Sequence, residues 1–251
     1  MTSNAPPRIF CKLRRAAKWA RLVARRSRPD AAHYLLQDAI DDVVERLDFM
    51  RFEPQRALIV GDWSRHLTGV LKARGVKVDG YCIGELDEEL PFPNGGYDLI
   101  VHLLGLPTVN DLPGALIHSR NALAEDGIMI ASFPGAGSLP QLRDVMMAAD
   151  GDRPAARVHP MVDHRASADL LQRAGFKRQV VDSHTLRVRF SSLQRLVSDL
   201  RDHGLSNALM NSAPHVCRDG LRRAEDAFAQ IADQDGKVSE SFEMLTLTGW
   251  K

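Results

Sequence analysis

The stretch Arg56–Trp63 reads R-A-L-I-V-G-D-W, and it decides the fold that the sequence predicts. An apolar run, Ala57–Val60, ends at Gly61, polar residues follow, and a segment with helical spacing comes next. This order is typical of the first strand of a nucleotide-binding α/β sheet, which leads directly into a ligand loop. Such loops favour glycine, because a Cβ blocks close approach of the backbone to a ligand. Gly61 stands alone here, without a dinucleotide or P-loop fingerprint, so a plain strand-to-helix turn also explains the stretch.

Strands and helices alternate on both sides of this stretch. The predicted strands are Ala57–Val60, Val76–Cys82, Tyr97–Leu104, Ile128–Phe133, Phe176–Asp182, Thr185–Phe190 and Ser241–Trp250. Phe176–Asp182 and Thr185–Phe190 are either two strands or one interrupted strand. The predicted helices are Ile9–Arg28, Asp30–Phe49 with Asp30 as N-cap, Leu67–Arg74, Asp111–Leu123, Leu139–Ala149, Ala166–Ala174, Ser191–His203 and Cys217–Ala232. The alternation predicts a mostly parallel sheet covered by helices on both faces, with an antiparallel addition at the end of the chain.

The charge distribution separates the start of the chain from its body. Met1–Pro29 holds nine basic residues and no acidic one. Removing these nine from the 33 basic residues leaves 24 against 32 acidic residues, so the body is acidic. An acidic body argues against a nucleic-acid-binding domain, which needs a basic face. With 251 residues, 44% of them hydrophobic, the chain is long enough for one large α/β domain.

The cysteines and the apolar runs limit the cellular compartments in which the protein is expected. Cys11, Cys82 and Cys217 are far apart and form no C-x-x-C pair, which argues against a disulfide framework or a structural zinc site. No apolar run approaches the ~20 residues that span a bilayer, and no apolar core of a secretory signal is present. We therefore predict a cytoplasmic protein, or a mitochondrial matrix protein in a eukaryote.

The basic segment Ile9–Arg28 is predicted to be an amphipathic helix. Ile9, Leu13, Ala16, Ala20 and Val23 recur at helical spacing, with arginines around them. The simplest interpretation is a solvated helix that docks this apolar stripe on the body. A contact with a membrane surface or with a partner protein is an alternative, and the Arg-rich, acid-free start also suits a mitochondrial targeting segment.

Acidic residues near the predicted ligand loop are candidates for cofactor contacts. Asp79, at the predicted end of the second strand and 18 residues after Gly61, could bind ribose hydroxyls. Asp87, in D-E-E before Leu90, could face an adenine amino group. The alternative is that both residues are ordinary acidic side chains on the surface, exposed to solvent and without a ligand.

Metal and hydrolase chemistry find little support in the sequence. His159, Asp163 and His164 flank a proline without the i, i+4 spacing of a zinc helix, so we predict no metal site. His102 lies inside a predicted buried strand and is interpreted as a core histidine. A G-x-S-x-G elbow is missing, which excludes the hydrolase that this motif would indicate.

The segment Leu90–Leu116, which contains V-N-D-L-P at Val109–Pro113, is similar to the fourth-strand region of class I S-adenosyl-L-methionine (SAM)-dependent methyltransferases. It most resembles the branch that contains malonyl-acyl-carrier-protein methyltransferase and the arginine-hydroxylase assembly factor of respiratory complex I. Further matches to this branch extend over nearly the whole chain. They are F-P-G-A-G-S-L at 133–139, L-L-Q-R-A-G-F at 170–176, G-L-S-N-A at 204–208 and L-T-G-W-K at 247–251.

The resemblance implies a Rossmann-like sheet of seven strands, with SAM lying over the carboxyl ends of the first strands. The cofactor-binding residues it implies, together with those argued above, are Gly61, Asp62, Asp79, Asp87, Leu104, Gly105 and Leu106. No catalytic base stands out. About thirty residues separate Gly61 from Leu90. A βαβ crossover needs at least ~10–12 residues, so we predict that one βα unit of the cofactor half is missing or reduced.

The sequence therefore predicts an N-terminal helical extension, residues 1–50, before a methyltransferase-like domain, residues 51–251, with a helical insertion at about 191–235. Two functions remain open. The first is a SAM-dependent methyltransferase or related hydroxylase that takes part in modification or assembly of a respiratory complex, with a protein partner or substrate. The second is a catalytically inactive scaffold of the same fold that no longer binds SAM.

Overall fold

A twisted α/β sheet forms the centre of the protein in a computed structural model that describes residues 8–251. Within these residues the sheet has six strands in the order β2-β1-β3-β4-β6-β5. Their bounds are β1 Arg56–Val60, β2 Lys77–Tyr81, β3 Tyr97–Leu103, β4 Leu123–Pro134, β5 Lys177–Phe190 and β6 Val238–Trp250. Strands β2, β1, β3 and β4 run parallel, whereas β6 pairs antiparallel with both β4 and β5. The predicted fold class is confirmed.

The connection from β2 to β3 carries the predicted shortening. Residues 82–96 join these strands with turns and one isolated bridge, and the described chain has no helix or further strand there. β2 therefore forms one edge of the sheet. The prediction that a βα unit of this half is missing is confirmed. At the other end, the two predicted segments form one strand, β5 (Lys177–Phe190), as the single-strand alternative predicted, with an irregular register between Lys177 and Val180.

Eight α-helices connect and cover the strands in the described residues. Their bounds are α1 Lys12–Arg25, α2 Tyr34–Met50, α3 His66–Ala73, α4 Leu112–Ala122, α5 Pro140–Asp150, α6 His164–Arg173, α7 Leu193–Asp202 and α8 Arg218–Gln230. Successive residues Leu99–Leu103 of β3 are all buried, so both faces of the sheet are covered at its centre, whereas most residues of the edge strand β5 are exposed. None of these helices is both long and apolar enough to cross a membrane.

Side-chain caps set several of the helix starts. The Asp111 carboxylate accepts from Gly114 N, Asp163 accepts from Arg165 N, and the Ser192 hydroxyl accepts from Arg195 N. Each cap satisfies a backbone donor that has no partner inside its helix. The prediction that Asp30 caps α2 was wrong, because the helix starts at Tyr34 after His33. Asp30 is instead paired with Arg28, which lies before the helix.

The orientation of α1 also differs from the prediction. Its buried side chains are Arg15, Lys18, Trp19 and Leu22. The predicted inward stripe faces solvent, with Leu13 82% exposed and Ile9 and Val23 at about 40%. Trp19 and Leu22 join the main hydrophobic cluster, which also takes in residues of β1, β3, β4 and β6. Burial of the large apolar side chains of Trp19 and Leu22 sets which face of the helix packs on the core. Arg15 and Lys18 lie on the same face and are therefore buried as well.

Candidate functional site

Three loops meet at the carboxyl-terminal edge of the parallel strands. Gly61 follows β1, Cys82 follows β2, and the turn Leu104–Leu106 follows β3. The Gly61 amide donates to Tyr81 O at 3.0 Å, and the Leu104 amide donates to Ser132 O of β4 at 2.8 Å. Ligands of open α/β sheets bind at this edge. The structure thus brings together four of the predicted residues, Gly61, Leu104, Gly105 and Leu106.

Gly61 and Gly105 face a single side chain. Gly61 has φ +97°, a conformation that L-residues rarely adopt, and a Cβ there would press on the carbonyl oxygen of Leu103. The same Cβ would lie 3.1 Å from Ile83 Cδ1, while a Cβ on Gly105 would lie 2.5 Å from that atom. The two glycines therefore form a cradle, and Ile83 occupies it. We refer to Gly61, Gly105 and the turn Leu104–Leu106 as the cradle below.

Asp62 supports the local backbone beside the cradle. Its carboxylate accepts from the Thr68 amide, the Thr68 hydroxyl and the Ser64 hydroxyl, each at 2.8 Å. These bonds fasten the loop to the first turn of α3, where backbone amides have no partner within the helix. The acceptor positions of Asp62 are therefore used within the protein.

Asp79 does not reach the carboxyl-terminal edge. It is the middle residue of β2, paired in register with Leu58, so its predicted place at the strand end was wrong. Its carboxylate accepts from the Tyr97 hydroxyl at 2.8 Å and from Arg56 at 3.0 Å. The Tyr97 hydrogen bond, followed by the Arg56 guanidinium, holds the pKa of the carboxyl below its usual value.

Asp87 lies in the loop that faces α1. Its carboxylate forms an exposed ion pair with Lys12 of α1, with Nζ–Oδ2 at 3.0 Å. Lys12 also contacts Glu89, which accepts from the Asn110 amide at 2.7 Å. A cavity of about 250 Å³ remains between α1 and this loop, and Asp87 lines it. This volume is below the ~300–1,000 Å³ that is usual for ligand sites.

A buried ion pair holds α1 over the cradle. The Arg15 guanidinium donates to both carboxylate oxygens of Glu88, at 2.9 and 2.6 Å, and to Thr108 Oγ1 at 3.1 Å. It also approaches the carbonyl oxygen of Gly105 at 3.5 Å. Glu88 is 1% exposed and Arg15 is 9% exposed. Bidentate geometry and the additional bonds offset part of the desolvation that such a pair costs.

Two tryptophans close the side next to Arg15. The rings of Trp19 and Trp63 lie 5.8 Å apart, and both side chains are buried. The Arg26 guanidinium donates to Trp63 O at 3.0 Å, which fixes the loop after Gly61 beneath α1. Aromatic side chains of this size remove a large area from water, so this wall is largely apolar, although neither indole N–H has a hydrogen-bond partner among residues 8–251.

Lys18 is buried one turn from Arg15. It is 1% exposed, and its ammonium nitrogen has no hydrogen-bond or ion-pair partner among residues 8–251, although it lies 5.2 Å from the Trp19 ring centroid. Burial, followed by the charge of Arg15, lowers its pKa to about 7. Lysines with lowered pKa values occur at functional sites, and sequence reasoning missed this one.

The histidines occupy separate positions. His102 is buried in β3 and its Nε2 lies 3.0 Å from the Ser119 hydroxyl, so the interpretation as a core histidine is confirmed. Burial lowers its pKa to about 4, which keeps it neutral. Asp163 caps α6 rather than facing His159. No cluster of three metal-ligating side chains occurs in the described part of the chain.

The residues present do not fit SAM in this arrangement. Ile83 fills the cradle, Arg15 bonds at its rim, and the remaining cavity is small. Asp62 lies beside the cradle but bonds to Ser64 and Thr68 of its own loop and helix, and Asp79 lies in the middle of β2, away from the cradle. Only a movement of Ile83 and α1 would open the space, so no chemical step through a bound cofactor is derived.

Sequence reasoning missed four residues at this site. Arg15, Ile83 and Glu88 act through contacts between segments distant in sequence, Lys18 is buried beside Arg15, and no motif marks any of them. One signal was available: Arg15 and Lys18 recur at i, i+3 with Trp19 and Leu22 at i+4 and i+7, which places all four on one helical face.

A family model described as a methyltransferase domain matches residues 16–181 of the chain. Among curated proteins, the chain is 31% identical over 170 residues to the mitochondrial arginine-hydroxylase NDUFAF5 of Rattus norvegicus, covering 66% of this chain and 50% of that protein. It is 24% identical to the malonyl-[acyl-carrier protein] O-methyltransferase of Laribacter hongkongensis, covering 88% and 84%. The chain thus spans about half the length of the arginine-hydroxylase it matches.

Solved structures share the fold at low sequence identity. The YcgJ protein of Bacillus subtilis superposes with a TM-score of 0.52 at 12% identity, covering 86% of this chain and 98% of that one. A Burkholderia thailandensis 1,6-didemethyltoxoflavin-N1-methyltransferase, solved with S-adenosylhomocysteine, has a TM-score of 0.50 at 13% identity, covering 98% and 94%. These similarities establish the fold.

Proposed function

The chain belongs to the methyltransferase-domain family, and from that premise we propose that it takes part in modification or assembly of a respiratory complex by acting on a protein partner. SAM is the cofactor of this family, as the sequence predicted, and a structural neighbour of the chain was solved with its product S-adenosylhomocysteine. We propose that the chain takes this cofactor only after Ile83 and α1 move. The modification itself is a methyl transfer or a related hydroxylation.

The relatives support a protein substrate. The name of the rat relative describes an arginine hydroxylase of mitochondria, which acts on an amino-acid side chain, and similar proteins of fish, mouse and man carry the same name. The malonyl-acyl-carrier-protein relative acts on a group that a protein carries. Both point to an acceptor on a macromolecule.

The observation that carries the proposal is the cradle itself. Two glycines stand where a Cβ would clash, at the edge of the sheet where this fold binds its ligands. The side chain that fills the cradle comes from a short turn, in which Cys82, Gly84 and Glu85 are exposed and Gly84 has φ +93°. A solvent-exposed turn is able to move at low cost, and its movement would empty the cradle.

A second candidate function is a scaffold that no longer binds SAM. The missing βα unit after β2 and the Arg15–Glu88 pair favour it, because both reduce the cofactor half of the fold. In this case α1 is a permanent part of the core, and the protein acts only by binding its partner.

Isothermal titration with S-adenosylhomocysteine separates the two functions. Ile83→Ala empties the cradle, so we expect it to bind at least about tenfold more tightly than the wild type, which corresponds to about 1.4 kcal/mol. Ile40→Ala is the matched control, since it removes the same atoms from a buried site on α2. If neither the wild type nor Ile83→Ala releases heat at millimolar ligand, the methyltransferase proposal fails and the scaffold is favoured.

We also propose that α1 contacts an anionic membrane surface, next to the membrane-bound partner. Leu13 and Val23 are exposed on this helix together with Arg14 and Arg21, and apolar side chains beside basic ones suit such surfaces. Cosedimentation with phosphatidylglycerol vesicles tests this. Leu13→Glu should reduce the bound fraction, whereas Met147→Glu, at an exposed site on α5, should not. Equal binding of both variants would refute the contact.

A further inference from the structure

A second cavity lies away from the cradle. It has a volume of about 490 Å³, within the usual range of ligand sites, and helices α5, α7 and α8 enclose it with the loops around residues 157–159 and 205–207. Its walls are largely apolar. The main apolar side chains are Leu139, Leu142, Val158, Leu193, Val197 and Leu200.

Hydrogen bonds between the two loops hold the cavity in shape. Asn207 Nδ2 donates to the carbonyl oxygens of Ala156 at 3.0 Å and Arg157 at 2.9 Å. The Arg157 guanidinium pairs with Asp150 at 2.6 Å and donates to Pro214 O. Because these contacts tie both loops to the end of α5, the cavity is preformed, which lowers the entropy cost of binding a ligand.

One buried polar side chain in the lining, His159, lacks a hydrogen-bond partner among residues 8–251. His159 is 4% exposed and lines the cavity, and its ring nitrogens form no hydrogen bond with any other described residue. Its ring packs edge-on against Phe10 at 5.6 Å. Burial lowers the pKa of His159 to about 4, so the imidazole is neutral and offers one donor and one acceptor. The ring nitrogens keep some contact with solvent, so a ligand in the cavity can reach them.

Arg201 lies at the mouth of the cavity. Its side chain is exposed and has neither a hydrogen bond nor an ion pair among residues 8–251. Other arginines near the cavity are occupied: Arg157 by Asp150, and Arg223 by the carbonyl oxygens of Ala148 and Ala149. The cavity therefore combines an apolar interior with an available cation at its entrance.

We propose that this cavity binds an aliphatic carboxylate, with the carbon chain between α5, α7 and α8 and the carboxylate on Arg201. Guanidinium groups bind carboxylates through paired, charge-assisted hydrogen bonds. A ligand that also carries a polar group along its chain would accept a hydrogen bond from His159, whereas an unsubstituted chain leaves His159 unused. The site stands independently of the cradle and of SAM.

Calorimetric titration of the full chain with octanoate and with octanol tests the site. The wild type is expected to bind octanoate at one site and more tightly than octanol. Arg201→Ala should weaken octanoate about tenfold, the loss of one charged hydrogen-bonding partner, and leave octanol unchanged. The control is Arg222→Ala, an exposed arginine of α8 that does not line the cavity, and it should behave as the wild type.

A second variant tests the location. Val197→Trp fills the cavity from α7 and should abolish binding of both ligands, with circular dichroism and the urea midpoint reporting whether the chain is folded. The proposal is overturned if the wild type shows no saturable octanoate binding, if Arg201→Ala and Arg222→Ala bind alike, or if folded Val197→Trp still binds octanoate.

Discussion

Replacing Lys18 with methionine should make the protein more stable at neutral pH, although it removes a charge from a protein in which most charges are solvated. Lys18 is buried without a hydrogen-bond or ion-pair partner among residues 8–251, and its pKa is lowered from 10.5 to about 7. The unfolded chain holds the lysine proton up to the higher value, whereas the folded chain releases it near the lower one. Methionine keeps the length and apolar stem of the side chain and removes the titrating group.

The sign of the effect follows from proton binding. Between pH 7 and 10.5 the unfolded state binds more protons, so wild-type stability rises with pH by about 1.4 kcal/mol per unit. Below pH 7 the Lys18 amine is protonated in both the folded and the unfolded state. The folded state then bears the whole free-energy cost of burying the charged amine. The advantage of Lys18→Met is thus largest at neutral and lower pH, and shrinks as the pH rises.

Urea unfolding at several pH values measures this difference. Free energies of unfolding for the wild type and Lys18→Met are compared from about pH 6 to about pH 9. Subtracting one from the other removes the contribution of the other titrating groups, which both proteins share. Lys12→Met is the control: hydrogen bonds to Asp87 and Glu89 raise the pKa of Lys12, so its difference from the wild type should stay flat in this window. If the difference in free energy of unfolding between Lys18→Met and the wild type is also independent of pH, the claim that the Lys18 amine has a lowered pKa in the folded protein is refuted.

Three further predictions concern the cradle and its surroundings. Arg15→Met should lower the free energy of unfolding by about 3–5 kcal/mol, because it leaves the Glu88 carboxylate buried alone. The double variant Arg15→Met/Glu88→Leu should recover most of this loss. An equal loss in the double variant would contradict the pairing. Gly61→Ala should cost at least about 1–3 kcal/mol in urea unfolding, since its φ is positive, whereas Gly69→Ala, with open space in the middle of α3, should gain about 0.5–1 kcal/mol. Asp62→Ala should cost about 1 kcal/mol by thermal unfolding, through the lost bonds to α3; an unchanged midpoint would count against that role.

Local patterns predicted most of the sheet. The apolar run before Gly61 became β1, and Tyr97–Leu104 became β3 with one residue fewer, because a strand buried on both faces needs such continuous runs. Chain length between Gly61 and Leu90 predicted the lost βα unit. These features depend on short-range composition and on the reach of the chain, both of which a sequence displays.

The site depended on contacts that no local pattern records. The apolar stripe of α1 suggested that Leu13 faced inward, yet the helix buries Arg15 instead, because Glu88 supplies a partner from a distant loop. Asp79 looked available for a ligand, but Arg56 and Tyr97 hold its carboxylate. Whether a polar side chain is free depends on its neighbours in space, which become known only once the fold is assembled.

The shortened connection after β2 also changes how the protein meets other chains. No strand of residues 8–251 lies beyond β2. The outer edge of β2 therefore presents backbone amide and carbonyl groups as a template on which an extended segment of another molecule could add. The strand is five residues long and includes Lys77 and Gly80, a short, charged and poorly β-forming edge. This composition disfavours self-association through β2, at a place where the lost unit would otherwise have covered the backbone.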